Sequence, residues 1–284
     1  MFGFLPHNLF TNHLGQSTSG LSPRLWSQVS GNIMSSDGTK RLFLTGDDFS
    51  SVDNSNTYTE ISGDLNYVGY IDTGGTILGA ADQKGGVVNI LVDASGANEE
   101  TGIECGDGVQ QLGQISDTTA DAHMTAFECR VKISTITDGA ASMLAGLAGP
   151  GSNDGDVLTD TSGIPTAANH GIGFNIKADD GDAIDFFYEA AGQARVDVIE
   201  GVAVPVADTF VKLGFLYDPD EATSKRIKVY VDNVEQSTYV TGTNIAAATF
   251  PDAEALTAVF ATKGITATAA TLGVDWWAFA QVIT

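Results

Sequence analysis

Short apolar runs with a period of two residues recur through most of the chain, divided by clusters of Gly, Asp, Asn, Ser and Pro. Alternate residues of an extended strand face opposite sides, so such runs predict strands with one buried face. Residues 87–92 (VVNILV) read as a short buried strand. In 126–133 (AFECRVKI), Phe127, Cys129 and Val131 alternate with Glu128, Arg130 and Lys132. Residues 171–177 and 183–189 flank an Asp-Gly turn and form a hairpin, with Ile184, Phe186 and Tyr188 on one face. Further runs lie at 195–199, 210–217, 226–231, 255–261 and 272–282. In the stretch 209–236, Val211, Leu213, Phe215 and Tyr217 share a face, Asp218-Pro219-Asp220 turns the chain, and Ile227, Val229 and Val231 return it. Asp232-Asn233 predicts a tight turn into another short strand, since Asn tolerates a left-handed backbone. With little helical period between runs, the pattern predicts an all-β, antiparallel two-sheet sandwich over 45–284.

Residues 1–44 read differently. Pro6 and Pro23 and three apolar clusters, at 1–5, 21–26 and 41–44, sit among polar spacers without a sustained period. This segment is expected to be an extended N-terminal arm that lies against its own body or a neighbouring subunit.

Composition narrows the class. The 284 residues include 33 Gly and are 43% hydrophobic, enough for a sizeable core with many turns. Asp and Glu number 36 against 13 Lys and Arg, a net charge of −23 that repels a polyanion and excludes direct nucleic-acid binding as an expectation. No apolar run reaches the roughly 18 residues of a membrane span, and MFGFLPHNLF lacks the basic start of a secretory signal. A soluble protein is expected, with Cys105 and Cys129 as two free thiols.

The hairpin DTFVKLGFLYDPDEATSKRIKVYVDNVEQ followed by LGVDWWAFAQV resembles the concanavalin-like or laminin-G-like jelly roll. That family commonly has Trp where this chain has Phe210 and Gly where it has Asn233. In the order Asp47-Asp48-Phe49, GGVVNI (85–90), FECRVKIS (127–134) and the hairpin, residues 45–284 are most similar to jelly-roll structural proteins of tailed-bacteriophage virions. The resemblance implies a jelly-roll fold and a decoration or cement protein on the capsid exterior, assembled in the host cytoplasm, with the major capsid protein or identical subunits as partners. It also implies a second class, a glycan-binding module of a tail fibre or other appendage with a host glycan as partner. On the first reading the arm supplies the interface through Phe2, Phe4, Leu5, Leu9, Phe10, Leu21, Leu25 and Trp26.

Catalytic signatures are not found. A retaining glucanase on this scaffold needs two carboxylates about 5 Å apart, from a Glu-x-Asp-x-x-Glu strand. Asp185 with Glu189 are four residues apart and Asp197 with Glu200 face opposite ways, so both pairs are expected to be solvated surface. His7, His13, His123 and His170 are scattered, and neither Ser17 nor Ser152 lies in a nucleophile elbow. No enzyme activity, cofactor or metal is expected. The loops 152–156 and 179–182 are acidic enough for calcium, but Asp-Gly pairs also make ordinary turns, and the turn reading is the one adopted. Trp276 and Trp277 must face opposite sides of one strand; an outward Trp would stack on a sugar or, the favoured reading, seat against a partner.

Overall fold

The computed structural model describes residues 20–34, 40–49, 60–61, 67–80, 86–106, 110–118, 121–152, 155–163, 165–166, 168–178 and 183–283. Its strands are β1 (Arg41–Asp47), β2 (Glu60–Ile61), β3 (Tyr67–Ile71), β4 (Thr76–Gly79), β5 (Val88–Val92), β6 (Glu99–Cys105), β7 (Met124–Ile133), β8 (Ala141–Ala148), β9 (Gly171–Ile176), β10 (Ile184–Glu189), β11 (Val196–Ala203), β12 (Val211–Tyr217), β13 (Ile227–Val231), β14 (Val234–Val240), β15 (Thr257–Gly264) and β16 (Ala270–Ile283). Helices are α1 (Pro23–Met34) and the single turn α2 (Gly242–Ile245).

The strands form two antiparallel sheets, as the alternation predicts. Sheet A runs β14-β13-β12-β7-β16-β5-β4, with β1 also on β16; sheet B runs β11-β10-β9-β8-β15-β6-β3-β2. The consecutive strands β15 and β16 therefore each enter the middle of a different sheet. β16 pairs with β7 along one edge, and on the other it takes β5 at Ala270–Val274 and β1 at Trp277–Ile283.

The core lies between the sheets. Phe127, Phe215, Trp277 and Phe279 from sheet A meet Phe174, Phe186, Tyr188 and Phe260 from sheet B, all closed to solvent. The segment Asp47-Asp48-Phe49 anchors this core. Asp47 accepts from Phe49 N–H (2.8 Å) and from the Tyr67 hydroxyl (2.9 Å), whose oxygen accepts from Trp277 Nε1–H (3.0 Å). The predicted turn at Asp232-Asn233 is present, with φ of 47° and 68°, the left-handed pair of a two-residue hairpin.

A register break between Val274 and Trp276 lets both Val274 and Trp277 face the core, although three residues separate them. Trp276 faces the other way, as strand geometry requires, but is only 4% exposed. No tryptophan among the described residues is therefore free to stack on a sugar or a partner, since Trp26 is 8% and Trp277 0% exposed.

Of the arm expected over 1–44, the described residues 20–34 and 40–44 lie against their own body, one of the two placements expected, but as regular elements. Instead of an extended strap, Pro23–Met34 is helical, and β1 belongs to sheet A. Leu25, Trp26 and Val29 pack on the outer face of that sheet against Ala126, Leu216, Tyr230, Ala278, Ala280 and Val282, with Leu21 alongside. Gly214 makes the seat: a Cβ there would lie 2.9 Å from Leu25 Cδ1. Glu128, buried beneath the helix, accepts from Ser22 N–H (2.9 Å) and Trp26 Nε1–H (2.7 Å). Burial lifts the Glu128 carboxyl above its ordinary range, and those two donor residues offset part of the shift. The carboxyl also lies at the positive end of α1, a favourable placement.

Candidate functional site

The centre of each sheet's outer face is closed by the chain itself. Helix α1 covers sheet A. Over sheet B residues 149–152 and 155–163 lie as a strap, with Val157 and Leu158 buried against Leu144, Ala148, Phe187, Val259 and Ala261. Two carboxylates and one lysine of sheet B zip it down. Glu104 accepts from Gly151 N–H (2.7 Å), and Glu100 accepts from Val157 N–H (2.8 Å) and Leu158 N–H (3.0 Å). Lys263, fully buried, reaches Asp160 (2.7 Å), Asp156 (2.8 Å), Glu100 (3.4 Å) and the Leu158 carbonyl (2.9 Å). Burial pushes the Glu100 carboxyl up to about 7, while the Val157 N–H and Lys263 pull against it. Asp156 is thus matched by a lysine rather than calling for calcium; Asn153 and Asp154, and the acidic loop 179–182, lie outside the described residues.

The carboxylate pair expected on the surface is buried. Asp185 and Glu189 are 0% and 1% exposed, on the outward face of β10 beside the strap. Asp185 accepts from Gly201 N–H (2.8 Å) and faces Lys177 (2.9 Å), and Asp197 takes Arg195 Nε–H (2.6 Å). Arg195 also donates to Asn175 Oδ1 (2.5 Å) and lies 4.2 Å over the Phe187 ring. Burial pushes Glu189 up to about 7, with Arg195 opposing. A carboxyl with that value can act as a general acid only where substrate reaches it. Glu189 is sealed, so this cluster reads as a structural ion network. Alternation of runs could not show the cover, because Val157 and Leu158 are isolated apolar residues in a loop.

An open cleft of about 420 Å³ lies at one end of the sandwich. Its walls come from five places in the chain: Lys40 before β1, Asp117 and Ala122 before β7, the β12–β13 turn with Pro219, Asp220, Thr223 and Arg226, Gly242 and Ile245 of α2, and Val282 of β16. Tyr217 and Met124 form the floor between them. The Tyr217 hydroxyl donates to the Ser116 carbonyl (2.5 Å), and burial pushes its pKa up to about 12, so it stays a neutral donor. Arg226 has a buried Nη1 without a hydrogen-bond partner. The lining therefore combines two cations, two carboxylates, a threonine and an apolar wall.

This chain matches no protein-family model and no curated protein. Among solved structures it is similar to a protein of unknown function, SO2946 from Shewanella oneidensis MR-1, at 15% identity over 93% of this chain and 96% of that one (TM-score 0.52). Peanut lectin in complex with a nine-residue peptide aligns at 14% identity over 85% of this chain and 99% of that one (TM-score 0.48). The endo-β-1,4-glucuronan lyase of Trichoderma reesei aligns at 8% identity over 84% and 94% (TM-score 0.48). At these identities the likeness is one of fold alone.

The residues expected to bind a partner are divided by the structure. Leu25 and Trp26 are buried in their own subunit and Leu21 packs beside them, so they are not available to a neighbour. Phe2, Phe4, Leu5, Leu9 and Phe10 lie outside the described residues. The cleft residues were not singled out in the sequence. Tyr217 and Asp218-Pro219-Asp220 were read only as strand and turn, and nothing in a linear text says that five distant segments meet. Cys105 and Cys129 are free thiols, both buried, and burial raises each well above its ordinary value. Among the described residues no three His, Cys, Asp or Glu side chains converge as a metal cluster, and no helix is long and apolar enough to cross a membrane.

Proposed function

We propose that the protein is a glycan-binding module that takes a sugar unit in the end cleft. The observation that carries this reading is the cleft's mixed lining of cationic, anionic, hydroxyl and apolar side chains. Every sugar hydroxyl both donates and accepts, so a site for it needs acceptors such as Asp117 and Asp220 beside donors such as Arg226, with an apolar wall for the C–H face. The buried ion networks of sheet B offer a substrate no entry, which favours binding over catalysis. A virion appendage is the setting suggested by the sequence resemblance. Attachment to a capsid would then fall to Phe2, Phe4, Leu5, Leu9 and Phe10, because Leu21, Leu25 and Trp26 are engaged at home.

A glycan array followed by calorimetry on the best hit tests the proposal. Arg226→Ala and Asp220→Asn should each weaken binding tenfold or more while the circular dichroism spectrum is kept. An array with no saturable ligand, or an R226A variant that binds as well as the parent, rejects the cleft as the site. Removal of residues 1–19 separates the two roles: it should abolish capsid attachment and leave sugar binding intact.

A further inference from the structure

The corner where the chain crosses from β5 in sheet A to β6 in sheet B carries oxygen chemistry that neither the cleft nor the core uses. Asp93 follows the last residue of β5 and Glu99 opens β6. Between them Ser95 donates its main-chain N–H to Asp93 Oδ1 (2.8 Å) and its hydroxyl to Glu99 Oε1 (2.8 Å). Ser95 thus bridges the two carboxyl groups and holds them at one corner. Two bare carboxylates so close repel, so a proton or a cation belongs between them.

A second observation shows that the corner has unmet demand for a positive ligand. Glu99 is 8% exposed, and its Oε2 has no hydrogen-bond partner. Thr101 stands two residues further along β6, so its side chain emerges on the same face; it is fully buried and its hydroxyl also lacks a partner. The β3–β4 turn backs these oxygens with glycine. A Cβ at Gly75 would lie 2.2 Å from Thr101 Oγ1, and one at Gly74 would lie 2.0 Å from Asp93 Oδ2.

We propose that Asp93, Glu99 and Thr101 hold a hard divalent cation of the calcium class. The donors are all oxygen, which selects calcium over zinc or copper, and two carboxylates balance a double positive charge. Main-chain oxygens and water complete the shell, and so small a charged set gives a weak site, with a Kd on the order of 0.1–1 mM. The role is structural, since the site pins the crossover that ties the two sheets together. It is remote from the cleft: Val92, next to Asp93, pairs with Ala270, while Val282 of the same strand lines the cleft, and twelve residues of strand span about 40 Å.

Calorimetry and thermal melts of the full chain with CaCl₂, with MgCl₂ and with NaCl at matched ionic strength test this. One saturable calcium site is expected, together with a rise in Tm that NaCl does not reproduce. Glu99→Gln should abolish the site, Thr101→Val should weaken it about tenfold, and Asp220→Asn should leave it unchanged. Absence of a saturable site, or calcium binding that persists in E99Q as general attraction to the acidic surface, overturns the proposal. If E99Q does not fold, T101V decides, because it removes only an unpartnered hydroxyl; unchanged calcium affinity in that variant also overturns it.

Discussion

Lys263 shows how much rests on one side chain. It is closed to solvent and its ammonium joins Glu100 in sheet B to Asp156 and Asp160 in the strap. Breaking a buried pair by removing one partner leaves an uncompensated charge, so Lys263→Met should lower the unfolding free energy by about 3–5 kcal/mol in urea titration. Glu100→Gln added to that variant should restore part of the loss, because the lone carboxylate is then gone. Gly214 is the matching case for sterics. Gly214→Ala would press a methyl against Leu25 Cδ1, the Phe127 carbonyl (3.0 Å) and Glu128 Cγ (3.1 Å), and should cost about 1–3 kcal/mol in the same measurement. In the sequence Gly214 was visible only as a glycine in a strand, and Lys263 lay beyond the predicted run 255–261. Their weight comes from what the fold brings over them.

Among the elements, the sequence spoke clearly where apolar and polar residues alternate in the text, even where the chain later covers the polar face, and poorly where they do not. β7, β12 and β13 alternate and were placed within two residues. β6 (EETGIEC) and β8 (ASMLAGLA) were missed, since carboxylates fill the one and small residues the other and neither shows an apolar–polar alternation. In β8 a further cause is close packing: Gly146 faces Gly173 in register, and a Cβ on it would meet the Ile172 carbonyl at 2.6 Å. Helix α1 did leave a signal, a Ser-Pro start with apolar residues at 25, 26 and 29, but its brevity and the prolines around it favoured an arm. Its docking is local, so Leu25→Ala should act mainly there. Hydrogen exchange of amides in 23–34 should accelerate tenfold or more while strands of sheet B keep their protection. Equal loss of protection in both regions would mean that the helix is integral to global stability.

For the whole molecule, acid groups set the response to pH. Glu100 and Glu189 both have pKa values raised to about 7 in the folded protein, above the ordinary carboxyl value of 4.5. The folded state therefore holds more protons, their contribution is complete below about 4.5, and it is lost as pH rises through 7. Stability from urea midpoints should thus fall between pH 5 and pH 8, and Glu100→Gln with Glu189→Gln should flatten that slope. Screening acts the same way on the net charge of −23: added NaCl at pH 8 should raise the midpoint.

The placement of β15 and β16 bears on how the molecule is made. Strand β1 finds its pairing strand in β16, more than 220 residues on, and sheet B has no centre before Thr257 arrives. Contacts of such long sequence separation close slowly. During synthesis the earlier strands must leave the ribosome with their apolar faces unmatched, and completion waits for two consecutive strands, one inserted into each sheet, so production in cells should depend on chaperones far more than the hardness of the finished body suggests.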